Sequence, residues 1–466
     1  METEDENIEQ YADHPEWYGP SEETMEQVLY ALHTDNAEAV VSITQPLHPA
    51  DVAVIIENLS PEDRTRFIEL VHDQFDPEAL AEMYADVRAE VLTHFSDSEI
   101  AQALTELNSD DALSVLNELE DDHQQNVLQA LPEEERLKLE QSLAYPEFSA
   151  GRLMQREMVV VRSNWTIQKA IDMLRAPQRG RFAIPETFYE IFIVNKDYEP
   201  VGKVSLNALF RYSEGTTFQE IMNREIKSIP LTMNQEDVGF LFRQYSFVTA
   251  PVVDHKGRLV GVITIDDVLA VIEEEATEDI LRLGGVGESD FHASTLDTSI
   301  SRLRWLLVTF IDTLLASAVI YQFQTILEKK VALAILMPIV AAMGGNAGMQ
   351  AVTVMVRALA THEFRAAKMW SIFGKELKVG LVNGIVFATL LASITSFWFQ
   401  DITLGLILAA AMVFNIVWAA FAGTALPIIL HRFNFDPAIS SGPLLTTTTD
   451  VLGFAIFLGL ATLVLG

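Results

Sequence analysis

Cysteine is absent from all 466 residues. Disulfides, thiolate nucleophiles and Cys-type zinc sites are thereby excluded. Basic residues are scarce: 31 Lys and Arg stand against 66 Asp and Glu, a net charge of −35. A nucleic-acid partner needs a basic face, so that class is excluded as well. Such a surface repels anionic lipid and concentrates cations, although solubility or adaptation to salt would account for most of the same charge. There is no G-x-x-x-x-G-K-[ST] run, and nothing resembles a catalytic triad or a metal-hydrolase cluster, so no enzyme is expected. His48, His123, His255, His362 and His431 are scattered and read as surface residues. The start, METEDENIEQYADHPEWYG, is acidic without an apolar run. It is not a signal peptide, and the soluble part is expected in the cytoplasm.

What charge there is lies unevenly. Residues 301–466 hold ten Lys and Arg against seven Asp and Glu, a net of +3, whereas residues 1–300 hold 21 against 59, a net of −38. An acidic soluble body therefore precedes a membrane body.

Residues 1–20 read as loose, and 21–145 as a succession of short amphipathic helices. Start signals recur at Ser60-Pro61-Glu62-Asp63, Ser96-Asp97-Ser98-Glu99, Ser109-Asp110-Asp111 and Leu131-Pro132-Glu133-Glu134. Pairs such as Leu104/Leu107 and Leu113/Leu116 keep helical spacing between them. Helices of about three turns with short connections predict a small superhelix. After Tyr145-Pro146 the rhythm changes. A β-α-β-β-α order recurs over about 60 residues, once in 151–212 and again in 213–272. An acid-rich helix is predicted over 266–283, ending at Gly284-Gly285, with a Ser/Thr/Gly linker over 284–301.

Five apolar stretches follow, at about Trp305–Phe323, Val331–Leu359, Val379–Phe399, Leu404–Leu430 and Pro443–Leu465, within a membrane domain set at 302–466. Each can cross a bilayer as a helix. Arg302, Arg304, Arg357, Arg365, Lys368, Lys375, Lys378 and Arg432 fall on one side, and only Lys329 and Lys330 on the other. The positive-inside rule then puts the N-terminus inside and the C-terminus outside. Asp450, led by Thr446 to Thr449, lies deep in the last stretch. A carboxylate there is costly and by default marks an ion or proton path, the bland alternative being a polar helix end or a paired acid. In the second stretch, Pro338 and Gly344-Gly345 would loosen the helix, while Asn346 and Gln350 need partners. A tight packing face is the competing reading. Asp312 is a second acid inside a span, either a packing detail or an added cation contact.

The phrase PVVDHKGRLVGVITIDDVL is similar to the second half of a CBS domain, and 151–272 resembles a CBS pair. The whole order, with MPIVAAMGGNAGMQ, EEEATEDILRLGG and FDPAISSGPLLTTTTD, resembles the MgtE family of magnesium channels from about residue 25 onward. The resemblance implies a multidomain fold: an α-helical superhelix N-domain, an α/β CBS pair, a linking helix and a five-helix transmembrane α bundle. It implies a homodimer in the cell (inner) membrane that passes Mg2+ passively along the dimer axis. Asp450 matches the pore aspartate, and Asn346, Thr446 and Gly345 match its surroundings. A wide site for a hydrated ion suits Mg2+, which sheds water reluctantly.

The resemblance also implies closure by cytosolic Mg2+ held by Asp267, Glu275, Glu278, Asp279, Glu236 and Asp110. Thr264 and Asp267 match a pattern that can hold the ribose of ATP or another adenosine nucleotide, an acid missing from Ser205-Leu206-Asn207-Ala208 of the first repeat. Asn234, Ser246, Ala270 and Ser114 stand where acids are usual, and Gly442 replaces a polar residue near the inner gate. A weaker or less cooperative response to Mg2+ is therefore expected. Two other readings are a channel or transporter for Mn2+ or Co2+, and a membrane-anchored sensor of metal or nucleotide that conducts nothing.

Overall fold

A computed structural model describes residues 19–175, 184–185, 187–286, 295–360, 366–433, 435 and 437–465. The initial segment 1–18, residues 287–294 of the linker, His362 and Arg365 lie outside the described residues. The chain forms two compact units, Met1–Glu273 and Glu274–Gly466.

Among the described residues the first unit opens with ten short helices: α1 (Glu22–His33), α2 (Ala37–Thr44), α3 (Pro49–Asn58), α4 (Pro61–Val71), α5 (Glu78–Glu82), α6 (Ala85–Leu92), α7 (Asp97–Leu104), α8 (Ser109–Asn117), α9 (Asp121–Ala130) and α10 (Glu133–Leu143). Their apolar faces close over one core that includes Leu32, Ile55, Phe67, Ile68, Leu113 and Leu116. Each such side chain stabilises the array by about 1.5–3 kcal/mol when fully buried.

Two of the expected caps form. The Ser60 hydroxyl accepts from the Asp63 amide, and Ser96 with Glu99 completes a capping box. Two differ. Asn108, not Ser109, precedes α8, and the Ser109 hydroxyl is taken elsewhere, as described below. Pro132 precedes α10 instead of opening its first turn. Buried Arg64 and Arg88 tie neighbouring helices, Arg64 to Glu90 and Arg88 to Glu118.

The short α11 (Ala150–Leu153) leads into two small sheets. In the first, β1 (Val160–Arg162) runs parallel to β2 (Glu190–Val194), which pairs antiparallel with β3 (Pro200–Ser205). Helices α12 (Ile167–Arg175), α13 (Ala208–Arg211) and α14 (Phe218–Ile221) complete that module. The second repeats the order with β4 (Ile229–Pro230), α15 (Gln235–Tyr245), β5 (Thr249–Val253) and β6 (Leu259–Thr264).

The repeat extends to one glycine per module. At Gly202 a Cβ would stand 2.9 Å from the Asn223 carbonyl, and at Gly261 2.8 Å from the Gln155 carbonyl, so only glycine lets the neighbouring backbone approach. Glu190 joins the modules: it takes the Thr249 hydroxyl at 2.7 Å and the Lys203 ammonium at 2.8 Å. Helix α16 (Ile265–Leu283) then runs to Gly284 as one piece, past the division between the units.

The second unit holds α17 (Thr295–Gln322), α18 (Gln324–Lys329), α19 (Val331–Ala360), α20 (Ala366–Phe399), α21 (Ile402–Arg432) and α22 (Pro437–Leu465). Five of these are long and apolar enough to cross a bilayer. The first begins before the expected span, since Thr295 is already helical. The third candidate span is Met369–Phe399, about ten residues longer at its start than the apolar run, because Lys375, Glu376 and Lys378 continue the helix. Pro338 does not break α19, which is continuous through it. A proline removes one amide donor, and packed neighbours let the helix carry on.

Candidate functional site

Helix α22 carries the acid that the sequence singles out. Its four threonines turn their hydroxyls back on the helix: Thr446 donates to the Gly442 carbonyl at 3.1 Å, Thr447 to Pro443 at 2.9 Å, and Thr448 and Thr449 to Leu445 at 3.0 Å. Thr446, Thr447 and Thr448 are part-buried, so with the proton so directed their oxygens keep lone pairs for a cation or for the water around one, whereas Thr449 is fully buried. Asp450 follows, half-buried, and makes no hydrogen bond or ion pair among the described residues.

Helix α19 packs beside α22. On it Asn346 and Gln350, one turn apart, are both exposed on the protomer. Gly345 faces open space, with no atom within 4 Å of where a Cβ would sit. Gly442 also has room, the nearest neighbour of an added Cβ being Met349 at 3.8 Å. Gly344 and Gly348 behave differently and pack tightly on Asn415 and Leu445. One face of α19 is thus a packing seam, as small residues allow, and the other is polar and uncovered.

Asn415 is a residue the sequence reading missed. It is fully buried in α21, and its amide donates to the Val340 carbonyl at 2.9 Å. A lone Asn in an apolar run carries little signal; the flanking glycines that fit it, Gly344 and Gly453, come from other helices.

The second place is acidic and lies in the first unit. Asp110 and Asp111 open α8, and Asp267 opens α16. The fold sets them together because Glu157, just after α11, takes both the Ser109 amide (3.1 Å) and the Ser109 hydroxyl (2.8 Å), while the Arg156 amide donates to that hydroxyl at 2.8 Å. Arg152 adds a bond to Asn117 at 2.7 Å.

Burial, then the charges of Asp267 and Asp111, push the Asp110 carboxyl well above its ordinary range. Burial, then Asp267 and Glu82, raise Asp111 to about 7. Asp267 is raised to about 6, chiefly by burial, although the Thr264 hydroxyl that donates to it pulls the other way. These acids hold protons or a cation at neutral pH more readily than free carboxyls do. Among the described residues no group of three or more His, Cys, Asp or Glu is arranged to hold a metal ion.

Asp110 and Asp267 are brought together; the other candidates are dispersed. Glu236 is exposed in the first turn of α15. Glu275 and Glu278 are half-buried on α16, Glu278 paired with Arg282, and Asp279 lies on the same helix. The neutral departures have structural duties. Asn234 caps α15 by accepting from the Glu236 amide at 2.8 Å, Ser246 ends the same helix in the left-handed region at φ 52°, and Ser114 accepts from Arg88 at 3.0 Å. Ala270 is exposed, and nothing in the structure explains the lost acid there.

Comparison with known proteins agrees with this division. Residues 337–460 match the MgtE divalent cation transporter family, 47–148 the MgtE intracellular N domain, and 218–274 the CBS domain. "Magnesium transporter MgtE" of Thermus thermophilus is 36% identical over 335 residues, 71% of this chain and 73% of that protein. "Magnesium transporter MgtE" of Bacillus subtilis is 28% identical over 443 residues, 95% of this chain and 97% of that protein. A solved structure described as the cytosolic domain of the Mg2+ channel MgtE in complex with ATP covers 53% of this chain and 99% of its own, at 30% identity and a TM-score of 0.48. Five apolar helices behind a helical array and a CBS pair, shared with relatives over most of their length, make this chain a multi-pass membrane protein and a member of the MgtE family of divalent cation transporters.

Proposed function

We propose that this chain is a Mg2+ channel, acting as a homodimer, through which magnesium enters the cell passively. The observation that carries the reading is Asp450: a half-buried acid in an apolar helix, without a basic partner among the described residues, behind the part-buried hydroxyls of Thr446, Thr447 and Thr448, whose protons turn back on the helix. Relatives that share most of this chain are named magnesium transporters, which favours Mg2+ over Mn2+ or Co2+. The uncovered polar face with Gly345, Asn346 and Gln350 supports a passage completed by a second copy. Two carboxylates, one per subunit, would then hold hydrated Mg2+ without stripping it. A membrane potential, negative inside, drives a divalent ion inward by about 4 to 5 kcal/mol per 100 mV. The basic flanks of the spans favour an N-terminus on the cytoplasmic side.

Closure, in this reading, comes from cytosolic Mg2+ at Asp110, Asp267, Glu236, Glu275, Glu278 and Asp279. The raised acids at Asp110, Asp111 and Asp267 support it, since a dication would relieve their mutual repulsion. The neutral residues at positions 114, 234, 246 and 270 make the response shallower. Thr264 and Asp267 are the candidates for an adenosine nucleotide. The test is Mg2+ flux into proteoliposomes read by an internal dye. Flux of the wild-type chain that is lost in Asp450→Asn supports the channel; a chain that binds Mg2+ but conducts none is a sensor.

A further inference from the structure

Asp312 is the residue of the membrane unit that the function above does not use. It lies well inside the first span, Thr298–Gln322, about 15 Å along the helix from Gln322. Its side chain is 5% exposed, and Oδ1 has no hydrogen-bond partner among the described residues. A buried carboxylate oxygen with no donor is among the more costly arrangements available inside a bilayer, and packing alone would be served by a neutral residue of the same shape.

Two groups of α22 face it. The Thr447 hydroxyl lies against the Asp312 carboxylate, yet the same hydroxyl donates to the Pro443 carbonyl at 2.9 Å. One proton cannot serve both acceptors. Asp450 is three residues further along that helix, about one turn, and lies near enough for the charge of Asp312 to act on it. No Lys or Arg pairs with either acid among the described residues. Two acids, one of them with an oxygen buried and unsatisfied, thus lie near one another without a basic partner among the described residues.

We infer that Asp312, Asp450 and the Thr447 oxygen of one protomer form a divalent-cation subsite, with Oδ1 of Asp312 binding the ion directly or through one of its waters. The cation supplies the missing charge and removes the conflict over the Thr447 proton. That proton goes to Pro443, and the hydroxyl lone pairs turn to the ion. Two carboxylates and a hydroxyl are hard oxygen donors that leave several positions of an octahedral ion to water, which fits a small, strongly hydrated dication. Each chain then has an ion position of its own beside the one that two copies would share at Asp450. This deepens the channel reading and rests on it.

The test is Mg2+ flux of the full chain in proteoliposomes over a series of Mg2+ concentrations. Asp312→Asn keeps the shape of the side chain and should raise the half-saturating Mg2+ concentration about tenfold, and Thr447→Val about threefold. An Asp312→Asn channel with the wild-type concentration dependence overturns the inference. So does one whose only change is in the pH dependence of flux, which would make Asp312 a proton site. If Asp312→Asn does not fold, Asp312→Glu is read in its place: it keeps the charge but displaces it, and an unshifted curve overturns the inference. Loss of the channel reading has a different signature, since the wild-type chain would then conduct nothing or Asp450→Asn would conduct normally.

Discussion

Asp110 of the helical array and Asp267 of the second CBS module hold their carboxyls against each other, although 157 positions separate them in the chain. Both are raised, and burial beside these charges pushes Asp111 up to about 7. A group whose folded pKa lies above its unfolded value stabilises the fold below the unfolded pKa, and that contribution is lost as pH rises through the folded one. The metal-free contact should therefore be firm at pH 5 and loosen between about pH 6 and 7, the range set by Asp267 and Asp111. Hydrogen exchange of residues 109–117 and 265–272, corrected for the intrinsic effect of pH, should show protection falling over that range without Mg2+ and holding with it. Protection independent of both pH and Mg2+ would contradict the reading.

Removing one of these charges tests the same cluster from the other side. Asp267→Asn relieves repulsion without a metal, so the metal-free protein should gain protection at pH 8. It should also respond less to Mg2+, with closure needing a concentration several-fold higher. The measurement is Mg2+-dependent protection from protease at fixed pH. A variant that closes at the wild-type concentration would remove Asp267 from the regulatory site.

Ser109 holds the two halves of the first unit in register. It is 7% exposed and makes bonds of 2.8 Å both to Glu157 and from the Arg156 amide. Ser109→Ala should cost about 1–3 kcal/mol, because it strips a buried amide and a carboxylate of a partner. A thermal melt of the full chain in detergent reads that loss; an unchanged melting temperature would show that water replaces the hydroxyl.

Much of this architecture is legible from residues alone. Helix caps at Ser60 and Ser96, the strand-helix repeat and the five apolar runs depend on local spacing, and local spacing survives into the fold. The losses are long-range. Ser109 looks like a cap because its neighbours are acids, but its hydroxyl is claimed by Glu157, 48 positions away. Asn234 and Ser246 look like missing acids, yet one caps a helix start and the other ends the same helix in the left-handed region. Pro338 signals a break that helix packing overrides. Asp312 and Asp450 are each conspicuous in sequence, but nothing in their spacing says that the charge of one reaches the other.

Asn415 gives a prediction independent of ions. Gly344 of the second span and Gly453 of the last approach its amide, and a methyl at either would overlap it. Gly344→Ala should lower the thermal stability of the detergent-solubilised chain. Asn415→Ala, which leaves the Val340 carbonyl its bond within the helix, should cost less, on the order of 1 kcal/mol. The order of the two melting temperatures is the check.

The central claim is that Asp450 lies on a conducting path for Mg2+. Its most direct test is Mg2+ uptake by proteoliposomes at an imposed negative potential, comparing the wild-type chain with Asp450→Asn reconstituted at equal density. The account predicts potential-driven uptake by the wild type and near-complete loss in the variant. Equal uptake by both would contradict it.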